Sequence, residues 1–235
     1  MSASQAVTYA LDGKVGVITV DDGKANAYSH DVLSGIEEAL DQAEKEATAV
    51  LLVGRPGKFS AGFDLSVMTS GDEPMRDLVK HGARLLVRIF TFPTPVVAAC
   101  TGHALAAGSL VLLVCDRRIG AEGPFKIGLN EVAIGMALPE FAIDLARYRM
   151  PPAQFDGALL GEVYDPAGAL RAGYLDAVVD AESVLLEATT VAHGLSQLRT
   201  GAVNRSKATA RSELADRILA HLDADMATMG GPTPG

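Results

Sequence analysis

Three segments of this sequence have residue types and spacing suited to chemistry. Ala61-Gly62-Phe63 and Ala106-Ala107-Gly108 put small side chains where a strand or loop turns into the next segment, so backbone N–H groups there can face a ligand unobstructed. Such donors suit an oxyanion. The same residues would equally serve a tight turn or the close packing of a helix. In the third segment, residues 127–135, Glu131 is one carboxylate in an apolar run. Desolvation there would raise its pKa and favour a general base, although a buried carboxylate can also pair with an arginine or cap a helix.

The surrounding pattern predicts the elements that hold these segments. Residues 7–11 and Val15–Val20 are β-branched runs separated by Asp12, Gly13 and Lys14, a hairpin signal. Over 29–45, Val32, Leu33, Ile36 and Leu40 recur at helical spacing opposite Glu37, Glu38, Asp41 and Glu44, with Ser29 as the N-cap. Ala49–Val53 reads as a buried strand, 75–92 as a helix closed by Pro93, Val96–Cys100 as a second buried strand, and 107–115 as a buried helix after a turn. Short strands are expected at Arg117–Ala121 and 125–127 around a Gly-Pro turn. Helices should follow at 140–147, 152–160, Pro166–Ala172, 181–196 and 204–226, and residues 229–235 read as a loose tail. The order is that of an alternating α/β chain without a repeat of fixed period. Residues 89–115 carry no Asp, Glu, Lys or Arg, but Pro93, Pro95, Thr101, Gly102 and His103 interrupt any membrane span there.

Taken together, these motifs resemble the crotonase, or enoyl-CoA hydratase/isomerase, superfamily, through about residue 180. Phe59-Ser60-Ala61-Gly62-Phe63-Asp64-Leu65 is similar to the family's F-x-A-G-x-D-L, which implies that the N–H of Phe63 is the first oxyanion donor. Gly102-His103-Ala104-Leu105-Ala106-Ala107-Gly108-Ser109-Leu110-Val111-Leu112-Leu113-Val114-Cys115-Asp116 is similar to G-x-A-x-G-G-G-x-E-L-A-L-x-C-D. There the resemblance implies the Ala107 N–H, at a helix N-terminus, as the second donor. Lys24-Ala25-Asn26-Ala27 matches the K-x-N-A element near the pantetheine and adenine of coenzyme A. The implied substrate is a coenzyme A thioester, met by Lys24, Ala25, Ala27, Ala61, Gly62, Asp64 and Leu65, with the Ala61 backbone at the adenine end and no separate cofactor.

Departures from the pattern narrow the activity. Hydratases of the family hold and activate water with two glutamates. Leu110 stands at the first of those positions and can neither orient nor deprotonate water. The second survives as Glu131. Ile127-Gly128-Leu129-Asn130-Glu131, followed by Gly135 and Pro139, resembles the mitochondrial-type Δ3,Δ2-enoyl-CoA isomerases, which also carry Leu at the first position. Leu138-Pro139-Glu140-Phe141 replaces the hydratase P-G-A-G-G run as isomerases tend to. Moving a double bond from C3–C4 to C2–C3 needs one base and an enolate clamp. The alternatives are a hydratase in which another group replaces the missing carboxylate, and a non-catalytic acyl-CoA-binding homologue. Ala106-Ala107 in place of Gly-Gly adds methyls that narrow the pocket. The family's late E-G-x-x-A-F helix ending in K-R is missing after Ser206, which leaves Lys207 as the candidate contact to the nucleotide phosphate.

Other residues are set aside. His30, His81, His103, His193 and His221 have no ligand spacing with one another or with cysteine, so no metal is expected. His103 reads as a packing or capping residue. No G-x-S-x-G occurs, and Ser109 reads as packing at a helix start. Glu140 is a first-turn acid rather than a partner of Glu131, and Asp64 and Asp116 should hold loops. Twenty basic against 29 acidic residues give a net charge of −9, which repels nucleic acid and anionic membranes, so a polyanionic ligand must be met by a few local cations. Cys100 and Cys115 lie in apolar runs without CxxC spacing, and residues 1–10 lack a signal or transit pattern, so a reduced, cytoplasmic protein is expected. With 235 residues, 49% of them hydrophobic, the chain can bury a sizeable core. The expected fold is α/β, a crotonase (ClpP-like) spiral of ββα units over 1–180, with a C-terminal helical trimerisation region over 181–228 and the tail beyond. By resemblance the assembly is a homotrimer or a dimer of trimers.

Overall fold

Pairs of strands, each followed by a helix, build the fold. The structure, a computed structural model, describes residues 6–230. Val7–Asp12 (β1) and Val15–Val20 (β2) form the expected hairpin, followed by Ala27–Tyr28 (β3), His30–Glu46 (α1), Ala49–Val53 (β4), Gly57–Ser60 (β5), Gly62–Phe63 (β6) and Leu65–Met68 (α2). Asp72–Thr91 (α3), Val96–Cys100 (β7), Gly102–Leu105 (β8), Ala107–Val114 (α4), Arg117–Ala121 (β9), Ile127–Gly128 (β10), a 3-10 turn at Val132–Ile134 and Glu140–Arg149 (α5) come next. Pro152–Leu159 (α6), Pro166–Ala172 (α7), Ala177–Val179 (β11), Val184–Leu195 (α8) and Thr200–Thr228 (α9) complete the order.

Three times a pair of strands precedes a helix: β4 and β5 before α3, with β6 and α2 between, β7 and β8 before α4, and β9 and β10 before α5, with the 3-10 turn between. The first strand of each pair joins a six-stranded sheet of order β1-β2-β4-β7-β9-β11, parallel from β2 onward. The second joins a parallel sheet of order β10-β8-β5. Alternation along the strands feeds two cores. Val50, Leu52, Val96, Ala98 and Cys100 face the helices α1, α3 and α4, while Ala49, Leu51, Val53, Val97 and Ala99 face Val184, Ala188 and Ala192 of α8. Coverage on both faces explains why these strands read as unbroken apolar runs.

Some elements differ from their sequence patterns. β8 occupies the stretch read as a turn, because it pairs on both sides with other short strands. The strand expected at 125–127 starts instead at Ile127, since the Lys126 N–H donates to His103 Nδ1 (3.0 Å) rather than to a ladder. The helix expected over 181–196 begins at Val184, after a turn in which the Ser183 N–H bonds the Asp180 carbonyl (2.8 Å). α9 is longer than its expected 204–226 and packs on α3 and α5. Met229, the first residue of the expected tail, is buried against the core, and residues 231–235 of that tail lie outside the described residues. No helix of the described residues is long and apolar enough to cross a membrane.

Lys207 is not placed to meet a phosphate. It is 9% exposed, and its Nζ donates to Asp116 Oδ2 (2.7 Å) and to the Thr94 carbonyl (3.0 Å). Arg211, 8% exposed, pairs with Asp116 Oδ1 (2.9 Å), and the Val96 N–H donates to Oδ2 (2.7 Å). Asp116 thus pairs with two buried cations of α9 and fixes the start of β7. Desolvation lowers the Lys207 pKa, and the Asp116 charge opposes that. Asp116→Ala would leave both cations buried and unpaired, and a loss of about 3–5 kcal/mol is expected in urea unfolding.

Candidate active site

The three segments singled out by their residue types leave the carboxyl ends of three neighbouring strands. Residues 61–63 follow β5, 106–107 follow β8 and 129–131 follow β10, and the register places Ser60 and Ile127 on either side of Ala104. Ligands of parallel α/β sheets bind at that end, where successive loops converge. One hydroxyl fastens two of the loops. Ser109 Oγ shares its proton between the carbonyls of Ala104 (2.6 Å) and Gly128 (3.0 Å) and accepts from the Gly128 N–H (2.9 Å). The Ala106 N–H donates to the same Gly128 carbonyl (3.1 Å), so the start of α4 and the Glu131 loop are tied together.

Ser60 fastens the third loop to the turn at Asn26, donating to the Asn26 carbonyl (2.7 Å) and accepting from the Gly62 N–H (3.1 Å). Asn26 is fully buried with φ +53°, and its side chain bonds the Val20 carbonyl (2.7 Å) and the Asp22 N–H (3.0 Å). Asparagine is one of the few residues besides glycine that visits the left-handed region routinely.

Both expected amide donors follow from these constraints. Beyond Gly62, whose φ of +92° breaks the alternation with the residues before it, the Asp64 N–H donates to the Tyr28 carbonyl of β3 (3.1 Å). Neighbouring amides of a strand point to opposite sides, which turns the Phe63 N–H away from β3. Ala107 opens α4, so its N–H has no acceptor within the helix. Ala106 before it holds φ +50°, a conformation that costs a non-glycine residue roughly 1–3 kcal/mol. Gly62, with φ +92°, allows the close approach of the two segments: a β-carbon there would stand 2.9 Å from Ala106 Cβ and 3.4 Å from the Ala107 nitrogen. The Phe63 ring rests on Gly82 of α3, where a β-carbon would overlap its Cε1 and Cζ atoms.

A cavity of ≈ 370 Å³ lies beside these groups, lined by Phe63 and Ala106, with buried Ala107 next to Ala106 in the chain and not itself in the lining. Exposed Ala61, Leu65, Thr69 and Ile134 form its mouth, half-buried Phe63, Ala106, Asn130 and Glu131 its middle, and buried Val79, Leu110, Phe141, Ala142 and Met229 its far wall. Glu131 is the only ionisable side chain among the described residues that line it. Its backbone carbonyl accepts from the N–H groups of Ile134 (3.0 Å) and Met136 (3.0 Å), which fixes where the side chain starts. The residue is half-buried, whereas carboxylate oxygen Oε2 is wholly buried and has no hydrogen-bond partner. Burial pushes the pKa up from 4.5 to about 7. A carboxylate so poised can take and return a proton near neutrality.

Of the residues expected at the coenzyme, Ala25, Ala27, Ala61 and Leu65 line the cavity, and Gly62 packs behind them against the start of α4. Asp64 does not line it. It caps α2 by accepting the Ser66 N–H (2.8 Å), and its pKa is held low by the Ser66 hydroxyl, with a smaller contribution from the Lys24 charge. Lys24 is exposed on the turn beside Ala25, its carbonyl bonded by Arg55 Nη1 (2.6 Å). Glu140 sits in the first turn of α5, its N–H and that of Phe141 capped by Asp225, and it does not line the cavity. The structure adds Asn130, whose Oδ1 is also buried without a partner, together with Met68, Thr69, Met136 and Met229. Asn130 adjoins Glu131 in the same apolar run, which is the one signal the sequence carried for it.

Comparisons with known proteins agree with this geometry. The sequence pattern of the enoyl-CoA hydratase/isomerase family matches residues 11–232. Human mitochondrial enoyl-CoA delta isomerase 1 is 32% identical over 232 residues, 95% of this chain and 76% of that protein. A probable enoyl-CoA hydratase of Bacillus subtilis is 38% identical over 141 residues, which span 58% of this chain and 54% of that protein. The crystal structure of an enoyl-CoA hydratase/isomerase family protein from Pseudomonas syringae superposes with a TM-score of 0.94 at 42% identity, covering 97% of this chain and 100% of that one. The fold is therefore the crotonase fold. The chain belongs to the enoyl-CoA hydratase/isomerase family and is an enzyme of it.

Gly82→Ala tests how the first donor is held. Helix propensity alone would make alanine better by about 1 kcal/mol. The methyl instead displaces the Phe63 ring and with it the amide, so kcat should fall by about 10- to 100-fold with KM little changed. Adding Phe63→Leu, which trims the ring and keeps the N–H, should restore most of the loss. Steady-state kinetics of both variants read this, and an unaffected kcat in Gly82→Ala would refute the role of the ring.

Proposed function

We propose that this enzyme shifts the double bond of a 3-enoyl-CoA to give the trans-2-enoyl-CoA. One observation carries the reading: Glu131 is the sole ionisable side chain among the described residues that line the cavity, and Leu110, 2% exposed, lines it where a hydratase would need its other carboxylate. Glu131 removes a proton from C2. The charge moves onto the thioester oxygen, where the N–H groups of Phe63 and Ala107 stabilise it, each donor being worth on the order of 10²–10³ in rate. The protonated Glu131 then delivers the proton to C4, so no second acid is needed. Ala25, Ala27 and Ala61 border the path of the pantetheine, and exposed Lys24, next to Ala25 in the chain, is the cation that would meet an otherwise repelled polyanion. No cofactor beyond the coenzyme A thioester is required for this chemistry.

A second reading, a hydratase, draws support from Asn130. Its amide Oδ1 and the carboxylate Oε2 of Glu131 are both buried acceptors without a partner, the kind of group that a bound water would satisfy. The assembly we propose is a homotrimer or dimer of trimers, supported by the exposed apolar side chains of Ile134 and Leu160 beside the site. The free, buried thiols of Cys100 and Cys115 support a cytoplasmic setting.

Supplying 3-enoyl-CoA and 2-enoyl-CoA separately distinguishes these activities through the absorbance of the conjugated thioester. The proposal predicts a gain from the first and little loss from the second. Rapid loss from the second would favour the hydratase, and no change from either would favour a binding protein. Only the carboxylate form of Glu131 accepts a proton, so kcat/KM should climb about tenfold per pH unit and level off near pH 7. Glu131→Gln should lower turnover by about 10³-fold or more.

A further inference from the structure

We propose that Met229 sets the length of acyl chain this enzyme accepts, favouring short chains over long ones. The choice of a 3-enoyl substrate rests on the isomerase reading, whereas the length limit does not. The thioester must lie between Glu131 and the two amide donors, and the coenzyme enters past exposed Ala61 and Leu65, so acyl carbons beyond C4 run inward. The buried apolar lining of the cavity includes Val79 (1% exposed), Phe141 (2%), Ala142 (0%) and Met229 (9%). The first three sit within α3 and α5, packed on all sides. Met229 differs, because it lies beyond the end of α9 and is the most exposed of the four.

Its position is held from two sides. The Met229 N–H bonds the Met226 carbonyl (3.2 Å), and its own carbonyl accepts from Arg76 Nε of α3 (2.9 Å). Asp225, one turn earlier on α9, accepts the N–H groups of Glu140 (2.9 Å) and Phe141 (3.1 Å), so the end of α9 and the start of α5 close on the cavity as one unit. An unbranched thioether fills such an irregular gap well. It also stops a chain, since a methylene gains binding only while apolar wall remains ahead of it.

Calorimetry with hexanoyl-, octanoyl-, decanoyl- and dodecanoyl-CoA tests this on wild type, Met229→Ala and Arg76→Leu. Each methylene that finds apolar wall should tighten binding roughly fourfold. In wild type that gain is expected to stop within the series, so that dodecanoyl-CoA binds no tighter than octanoyl-CoA. In Met229→Ala it should continue, tightening dodecanoyl-CoA binding by tenfold or more while hexanoyl-CoA changes less than twofold. Arg76→Leu frees the Met229 carbonyl without touching the cavity and should shift the series in the same direction, which keeps the test open if Met229→Ala folds poorly. A steady gain through dodecanoyl-CoA in wild type, or superimposable series in all three proteins, overturns the proposal. If the series shifts but no 3-enoyl-CoA is isomerised, the length limit stands and the isomerase reading fails.

Discussion

A carboxyl oxygen buried without a hydrogen-bond partner is the constraint on which this structure turns. Water around Glu131 Oε2 has been replaced by apolar side chains, and the resulting loss of solvation lifts its pKa from 4.5 to about 7. That gap corresponds to on the order of 3 kcal/mol. Its sign follows from linkage: the folded-state pKa lies above the unfolded one, so this stability is complete below about pH 4.5 and is lost as pH rises through about 7. A fold selected for stability alone would fill this position with an apolar residue. The same burial leaves a carboxyl that can both take and give a proton near neutrality, as the proposed isomerisation requires.

Because Oε2 forms no bond and the carboxyl is met only by the backbone N–H of Glu131 itself, its position has to come from the backbone beneath it. The three short parallel strands β5, β8 and β10 supply that position by ending side by side. Two serines convert this alignment into a rigid site. Ser109 ties the start of α4 to the Glu131 loop, and Ser60 ties the β5 loop to the turn at Asn26. Strain is concentrated at Ala106, whose positive φ sets up the free N–H of Ala107 at the head of a helix whose dipole also favours an anion. The Phe63 ring on Gly82 extends the same logic to the other donor, since an amide is only as well placed as the side chain anchoring its residue.

Much of this was legible in the sequence. The long apolar runs at β4 and β7 and the amphipathic pattern of α1 declared their elements because local burial patterns decide them. Glu131 stood out as a lone charge in an apolar segment. What stayed hidden depends on contacts between distant parts of the chain. β8 looks like a turn until its two neighbours are in place, and β3 has only two residues. Lys207 resembles a surface cation until Asp116, 91 residues away, is brought to it. His30 and His81, without any ligand spacing in sequence, meet across 51 residues with their Nδ1 atoms 3.0 Å apart. Met229 belongs to the site only because α9 packs back over α3 and α5.

The central claim concerns the protonation state of one carboxyl group, and direct titration tests it best. Isotope-edited NMR of carboxyl-labelled glutamate, taken as the difference between wild type and Glu131→Gln, isolates that resonance across a pH series. The account predicts a midpoint near pH 7. A midpoint below about 5, within the ordinary glutamate range, would contradict it.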